Sequence, residues 1–319
     1  MRERLPIIAT AAVCILLYVI AGLRFEGFFS LRVFFNFLSD NAFLGVIAVG
    51  LTFVILSGGI DLSVGAMVGC AGIMGASLIT KSHLHPAAAF GIVLAFGCGL
   101  GLMHGALIQF YKLPPFLVTL GGLFFCRGVA LWISKESMQI DHSLFNSLSQ
   151  FSISLPGRSS LPLTSIIWLL LLGFGAYLAK QTRFGRTTYA IGGNEVSAVL
   201  MGLPVKRTKV LIYTLSGFCS ALGGLVFAFY TGSGNAISGA GLELDAIAAV
   251  VIGGTLLSGG YGSVLGSFLG VLILGIIQTA ITFEGTLSSW WTKIAVGTLL
   301  LIFILLQKLI ERTASSRSP

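Results

Sequence analysis

Residues Ala246–Phe283 read AIAAVVIGGTLLSGGYGSVLGSFLGVLILGIIQTAITF, 38 residues without a charge. Just upstream, Val210–Leu242 runs uncharged for 33 residues. Each exceeds the ~20 apolar residues that carry a helix across a bilayer. The longer run is too long for one helix, and Ser258-Gly259-Gly260-Tyr261-Gly262 supplies a break inside it. The rest of the 319 residues has the same texture. Hydrophobic residues make up 55% and charged ones 9%, the latter against roughly 25% in a soluble domain. Glycine, at 42 residues, stands near twice its usual share of about 7%. No soluble core hides so much apolar surface. The expected fold is all-α, a polytopic helical membrane protein with broken-helix segments.

Cutting at charges, prolines and Gly/Ser clusters predicts about ten spans in a single transmembrane domain over residues 1–319. They fall at 5–23, 39–57, 62–80, 86–110, 114–134, 161–179, 210–230, 244–258, 262–283 and 290–310. Arg2 and Arg4 precede the first. Its 19 residues exceed the roughly 7–15 of a signal-peptide core, and no clear A-x-A site follows, so it reads as a retained span. With the N-terminus inside, 12 Lys/Arg lie on the cytoplasmic side and six outside; Arg127 falls within a span. Six of the twelve crowd into residues 180–209. The positive-inside rule then places both termini, the 180–209 loop and the 311–319 tail in the cytoplasm.

Several function classes fall away. The net charge of +8 is dispersed between apolar blocks, whereas a nucleic-acid binder gathers its basic residues into a patch. Cys14, Cys70, Cys98, Cys126 and Cys219 lie inside apolar segments without CxxC spacing, as small core residues rather than a disulfide or zinc framework. There is no G-x-x-x-x-G-K-S/T loop for ATP, and no HExxH or GxSxG motif. The carboxylates Asp40, Glu243, Asp245 and Glu284 are spread over different loops. No catalytic, metal or cofactor site is expected, and the chain does not read as an enzyme.

Glycines at 97, 101 and 105, and again at 262, 266 and 270, recur every fourth residue. That spacing puts them on one helix face and lets helices approach closely in lipid. A nucleotide-binding glycine loop would need a soluble strand–turn–helix context. The sharpest local signal is Leu56-Ser57-Gly58-Gly59-Ile60-Asp61-Leu62-Ser63-Val64-Gly65, where glycines interrupt two apolar stretches around one carboxylate. Gly58-Gly59 would end one helix and Asp61 cap the next. The break would also expose backbone polar groups to a permeant solute. Both readings stand together, and a related run at 257–264 hints at an internal repeat. His104 and Arg127 are costly in hydrocarbon and should face protein or water, His104 as a satisfied core histidine. Asn41 and Gln278 could join helices or touch a solute. Trp290-Trp291-Thr292-Lys293 looks like an outer aromatic belt. The outer loop 135–160 is Ser-rich, with Trp132, Phe145 and Phe151 for the interface. Inside, Asn194–Met201 is either a basic solvated loop or a short helix, with Asn194 as N-cap and Gly202 as its stop.

Three long motifs resemble one family. They are Asn41–Gly65 (NAFLGVIAVGLTFVILSGGIDLSVG), Tyr189–Asn194 (YAIGGN) with Met201-Gly202, and Glu243–Gly254 (ELDAIAAVVIGG). In this order they are similar to the permeases of bacterial ribose-type sugar ABC transporters, over a chain length from the second span to Gly297. Within it, Gly285–Ile294 looks most like the galactofuranose branch. The resemblance implies an inner-membrane permease importing a sugar by alternating access. Its partners would be an ABC ATPase, a periplasmic sugar-binding protein and a second permease, which is typically a distinct paralogous chain in that branch, with a second copy as the alternative. Segment 192–202 would be the coupling helix on the ATPase, with Gly193, Asn194, Glu195, Ala198 and Gly202 at the matching positions; Ser197 stands where many relatives carry alanine. The sugar would pass small residues and the broken segments: Asn41, Ser57, Gly58, Gly59, Asp61, Ser63, Ser258, Gly259 and Gly260. The rival from another class is a stand-alone ion-coupled carrier, for which His104 is the one plausible coupling residue. A membrane-embedded glycosyl-transferring enzyme would need interfacial carboxylates.

Overall fold

Helices appear at all ten predicted segments of the computed structural model, which describes residues 5–156, 159–285 and 290–315. Arg2, Arg4, Arg158, Arg317 and the 286–289 part of the branch-specific motif lie outside the described residues. The long helices are α1 (Leu5–Arg24), α2 (Leu31–Asp40), α3 (Ala42–Leu56), α4 (Val64–Thr80), α5 (Pro86–Phe110) and α6 (Pro115–Ile133). After an outer segment holding α7 (Ser143–Gln150) come α8 (Leu163–Gln181), α9 (Arg183–Gly193), α10 (Glu195–Leu200) and α11 (Val205–Thr231). The chain ends with α12 (Leu242–Ile252), α13 (Val264–Glu284) and α14 (Trp290–Ser315). Prolines open α5 and α6 at their first turn, where a missing N–H costs nothing.

Six described helices (α1, α5, α6, α8, α11 and α13) are each long and apolar enough to cross a bilayer. The pair α2–α3, bent by 56° about Asn41, makes a seventh if counted as one span. Two of the ten predicted segments hold shorter or half-length helices: α4 has 17 residues and α12 only 11, whereas α14 has 26. At 1.5 Å per residue α12 is about half a span, because Gly253-Gly254 stops it before the predicted Ser258–Gly262 break.

The outer segment predicted as loop carries structure. β1 (Met138–Gln139) pairs antiparallel with β4 (Ser233–Gly234), and β2 (Ser152–Leu155) with β3 (Ser159–Pro162). Phe145 of α7 is buried against Phe229 of α11, their rings stacked at 4.9 Å.

α3 forms the centre of the bundle and is buried along nearly its whole length, whereas α1 and α6 stay largely exposed at the edge. The glycine spacing explains the tightest contact. A Cβ on Gly97, Gly101 or Gly105 of α5 would meet Gly217 O at 2.6 Å, Tyr213 O at 2.2 Å or Val210 Cα at 2.7 Å, all on α11. Such backbone-to-backbone approach supplies van der Waals contact where lipid offers no hydrophobic drive. Gly266 and Gly270 seat α13 on α12 in the same way, facing Gly253 O and Ala249 O. Gly262, grouped with them by spacing, precedes α13 and lies in the turn against Thr255.

Candidate functional site

The short helix expected at 194–201 exists as α10, and local chemistry fixes both ends. Asn194 Oδ1 accepts from Ser197 N–H at 2.9 Å, an N-cap. At the other end Gly202, at φ +75°, donates to Val199 O at 3.0 Å, and Leu203 N–H donates to Ala198 O at 3.1 Å. That is a Schellman stop, which wants a left-handed glycine. Ala198 is fully buried with Ile191 and Val205, so one face of α10 lies on α9 and α11. Glu195 Oε2 accepts from Lys209 Nζ at 2.6 Å and ties the helix to the first turns of α11. The opposite face is apolar and open: Val196, Val199, Leu200 and Met201 are exposed, Leu200 by 82%. Gly193 has open space around it; its neighbour Gly192 is the crowded one.

α3 stops at Leu56 by the same Schellman device. Gly58 N–H donates to Ile55 O at 2.9 Å, and Gly59 N–H to Val54 O at 3.0 Å, with Gly58 at φ +77°. The 257–260 run is not its counterpart. α12 already ends in its own Schellman bonds from Gly254 and Thr255, and Ser258-Gly259-Gly260 form the turn that follows. The two runs nonetheless meet. Gly260 N–H donates to Leu56 O at 2.9 Å, and a Cβ on Gly58 would lie 3.3 Å from Ser258 O. Gly58 and Ser258 are exposed, Ser57, Asp61, Ser63 and Gly259 buried, Gly59 and Gly260 half-buried.

Asp61 does not cap α4, whose N-cap position is Ser63, without a side-chain cap bond. Only 2% exposed, its Oδ1 accepts from Ser63 N–H at 3.0 Å and Ser63 Oγ at 2.6 Å. Its Oδ2 accepts from Ser216 Oγ of α11 at 2.7 Å. A buried carboxylate is held by hydrogen-bond donors rather than by a cation. Tyr213 OH lies against Gly59, and His104 Nε2 against Gly122 beside Ser63. Neither has a hydrogen-bond partner among the described residues, so His104 is buried but not satisfied at that nitrogen. An apolar cavity of about 410 Å³ opens beside it.

Arg127 has a role that spacing could not disclose. After α11 the stretch 232–241, irregular beyond β4, runs along α4, close to Gly65, Gly69 and Gly72. Arg127 Nη1 donates to Ala236 O and, at 3.1 Å, to Ser238 O. Buried carbonyls of irregular backbone need a donor from elsewhere in the protein. Replacing Arg127 by Leu leaves two carbonyls without their donor, about 1–3 kcal/mol each. A detergent melting midpoint several degrees below wild type, partly restored by Arg127→Lys, is the expected result.

Asn41 lies at the α2–α3 bend, where Nδ2 donates to Phe37 O at 2.8 Å and Gly275 leaves the room the amide occupies. It lines a cavity of about 460 Å³ with Gln278, Thr282 and Thr292. Lys293 Nζ donates to Asp245 Oδ2 at 2.5 Å on its wall. Trp290 and Trp291 are exposed nearby on α14. Gln278 thus shares this cavity with Asn41, as does Thr282, an ordinary polar residue in an apolar helix that carries no sequence signal. Among the described residues no group of His, Cys, Asp and Glu is placed to hold a metal ion.

Residues 33–305 match the family described as branched-chain amino acid transport system / permease component. The chain belongs to this family. The permease is 51% identical over 307 residues to the inner membrane ABC transporter permease protein YjfF of Escherichia coli K12, covering 96% of this chain and 93% of that one. It is 37% identical to the fructose import permease protein FruG of Bifidobacterium longum, over 97% of this chain and 92% of the relative. It is also 37% identical to the ribose import permease protein RbsC of Bacillus subtilis, over 86% and 84%. No solved structure matches. The permease is a multi-pass inner-membrane protein and a transport component rather than an enzyme. Membership implies association with an ATPase and a substrate-binding protein.

Proposed function

We propose that this permease is the membrane subunit of an importer that carries a monosaccharide inward by alternating access, with ATP hydrolysed by a separate subunit. The observation that carries the reading is α10. A short helix bound rigidly to α9 and α11 turns four apolar side chains away from its own chain on a basic loop. Such a patch wants a protein partner, and an ATPase groove is the one this family offers. Residues 1–319 act as one ten-span domain with both termini, the 180–209 loop and the 311–319 tail cytoplasmic. α4, α12 with the turn after it, and α14 supply the remaining spans. Relatives named for fructose and ribose support a sugar over an amino acid, and the 285–294 wording supports a galactofuranose-like one.

A second permease, a distinct paralogous chain in that branch, completes the pathway, with lipid around the pair and a periplasmic sugar-binding protein outside. Along the route the neutral amides and hydroxyls of the Asn41 cavity suit sugar hydroxyls, and the Lys293–Asp245 ion pair on its wall carries no net charge. Gly58 and Ser258 present open backbone at the inner end. Ser57, Gly59, Asp61, Ser63, Gly259 and Gly260 hold the wall behind them.

The deciding experiment is purification of the permease from its native membrane with identification of what travels with it. A co-purifying ATPase and a second permease, with sugar uptake that needs ATP, is expected. Uptake by the permease alone on a proton gradient would instead favour the ion-coupled carrier, with His104 as its coupling residue.

A further inference from the structure

Three glycine pairs from distant parts of the chain converge behind α10: Gly58-Gly59 at the end of α3, Gly192-Gly193 at the end of α9, and Gly259-Gly260 in the turn after α12. Gly192 lies across the hydrogen bond from Gly260 N–H to Leu56 O. A Cβ placed on it would stand 1.8 Å from that oxygen and 2.3 Å from that nitrogen. A Cβ on Gly259 would stand 2.6 Å from Gly58 N and 3.0 Å from Gly192 Cα, and one on Gly260 would stand 2.8 Å from Gly193 N. One turn back on α9, Tyr189 OH donates to Gly262 O at 2.8 Å. Burial, reinforced by Tyr261 next to it, pushes the Tyr189 phenol above its ordinary value, so it stays a donor. Only Asn194 separates α9 from α10, and its N–H donates back to Ala190 O at 3.0 Å.

Backbone meeting backbone has no rotamers to absorb a displacement. A shift of α10 by a fraction of an ångström therefore arrives undamped at the stop of α3 and the turn after α12. We propose that Gly192, with Tyr189 beside it, is the positioning residue through which movement of α10 is passed to both breaks at once. This rests on the reading of α10 as the ATPase-contacting helix. Close-packed junctions respond by switching rather than by bending, and an added methyl here would uncouple α10 from the breaks without touching the partner's surface.

The test uses the whole transporter, permease pair with ATPase and binding protein, in vesicles. Sugar uptake and ATP hydrolysis are measured together. In Gly192→Ala, sugar carried per ATP should fall at least about ten-fold, less than the ~100-fold that a 1 Å misplacement can cost at a reacting centre, with the ATPase still bound and hydrolysing. Tyr189→Phe, which inserts no bulk, should lower the same ratio about five-fold, the worth of one hydrogen bond. Gly173→Ala on α8, where an added Cβ meets nothing within 4 Å, should leave it unchanged. An unchanged ratio in Gly192→Ala, or a parallel loss of uptake and hydrolysis, would overturn the proposal. If Gly192→Ala does not assemble, Tyr189→Phe decides alone, an unchanged ratio again overturning it. A wild-type permease that binds no ATPase would overturn this and the functional reading together, and is seen before any variant is made.

Discussion

Leu200→Asp should leave the permease folded and inserted, yet strip it of its ATPase. Leu200 is the most exposed residue of the α10 face and touches nothing its own fold needs. Burying a leucine at an interface is worth about 1.5–3 kcal/mol, so losing it alone costs about ten- to a hundred-fold in affinity. The carboxylate adds the cost of burying an unpaired charge. ATPase retention on a permease column should drop at least that far, ATP-driven uptake should vanish, and the detergent melting midpoint should stay put. Retention at the wild-type level would detach α10 from the ATPase. Glu195 offers a graded comparison. Glu195→Ala removes a partly exposed ion pair worth at most about 1 kcal/mol and should be mild. Glu195→Arg sets two cations where Lys209 now meets a carboxylate and should uncouple transport, as should an insertion at Gly202 that breaks the stop of α10.

Helix positions were legible because their signals are local. Charge-free runs, Pro86 and Pro115 mark where helices begin, and Asn194 and Gly202 act on backbone groups within four residues. α2 escaped because Arg32 and Asn36 cut its apolar run, and only tertiary contacts of Phe37 and Leu38 recruit it to the bundle. α12 is shorter than predicted because Gly253-Gly254, five residues before the conspicuous Ser258-Gly259-Gly260, already completes a helix stop. Two glycine pairs in one run offered two breaks, and the resemblance of 257–260 to 56–59 drew attention to the second.

Long-range partners left no trace in the sequence. Arg127 bonds to carbonyls, which every residue has, so nothing at 236 or 238 announces it. Gly192 matters for the side chain it lacks, and its contacts are backbone atoms more than 65 residues away on either side. The family motif points to Gly193 because a motif marks positions, not neighbours. Asp61 shows the same limit from the other side. Its residue type was conspicuous, but the capping role suggested by its place in sequence yields in space to Ser216, 155 residues on.

Asp61→Ala should therefore act on assembly. The substitution leaves Ser63 N–H, Ser63 Oγ and Ser216 Oγ without their common acceptor in a site closed to water. Donors to a charged group are worth about 1.5–3 kcal/mol each, a large part of what holds a marginally stable fold together. Little folded Asp61→Ala permease should accumulate in the membrane. Asp61→Asn separates shape from charge. Its amide oxygen still accepts from Ser63 while its NH₂ donates to Ser216 Oγ, which turns its own proton elsewhere. The amount of folded Asp61→Asn permease should match wild type, and uptake should stay within a few-fold of it. A solute that needed the negative charge would lose uptake in Asp61→Asn despite intact assembly, and that result would move Asp61 from the wall of the pathway into the pathway itself. The arrangement argues for the wall: both carboxylate oxygens already serve the protein, and the open groups at this level are the backbone around Gly58 and Ser258.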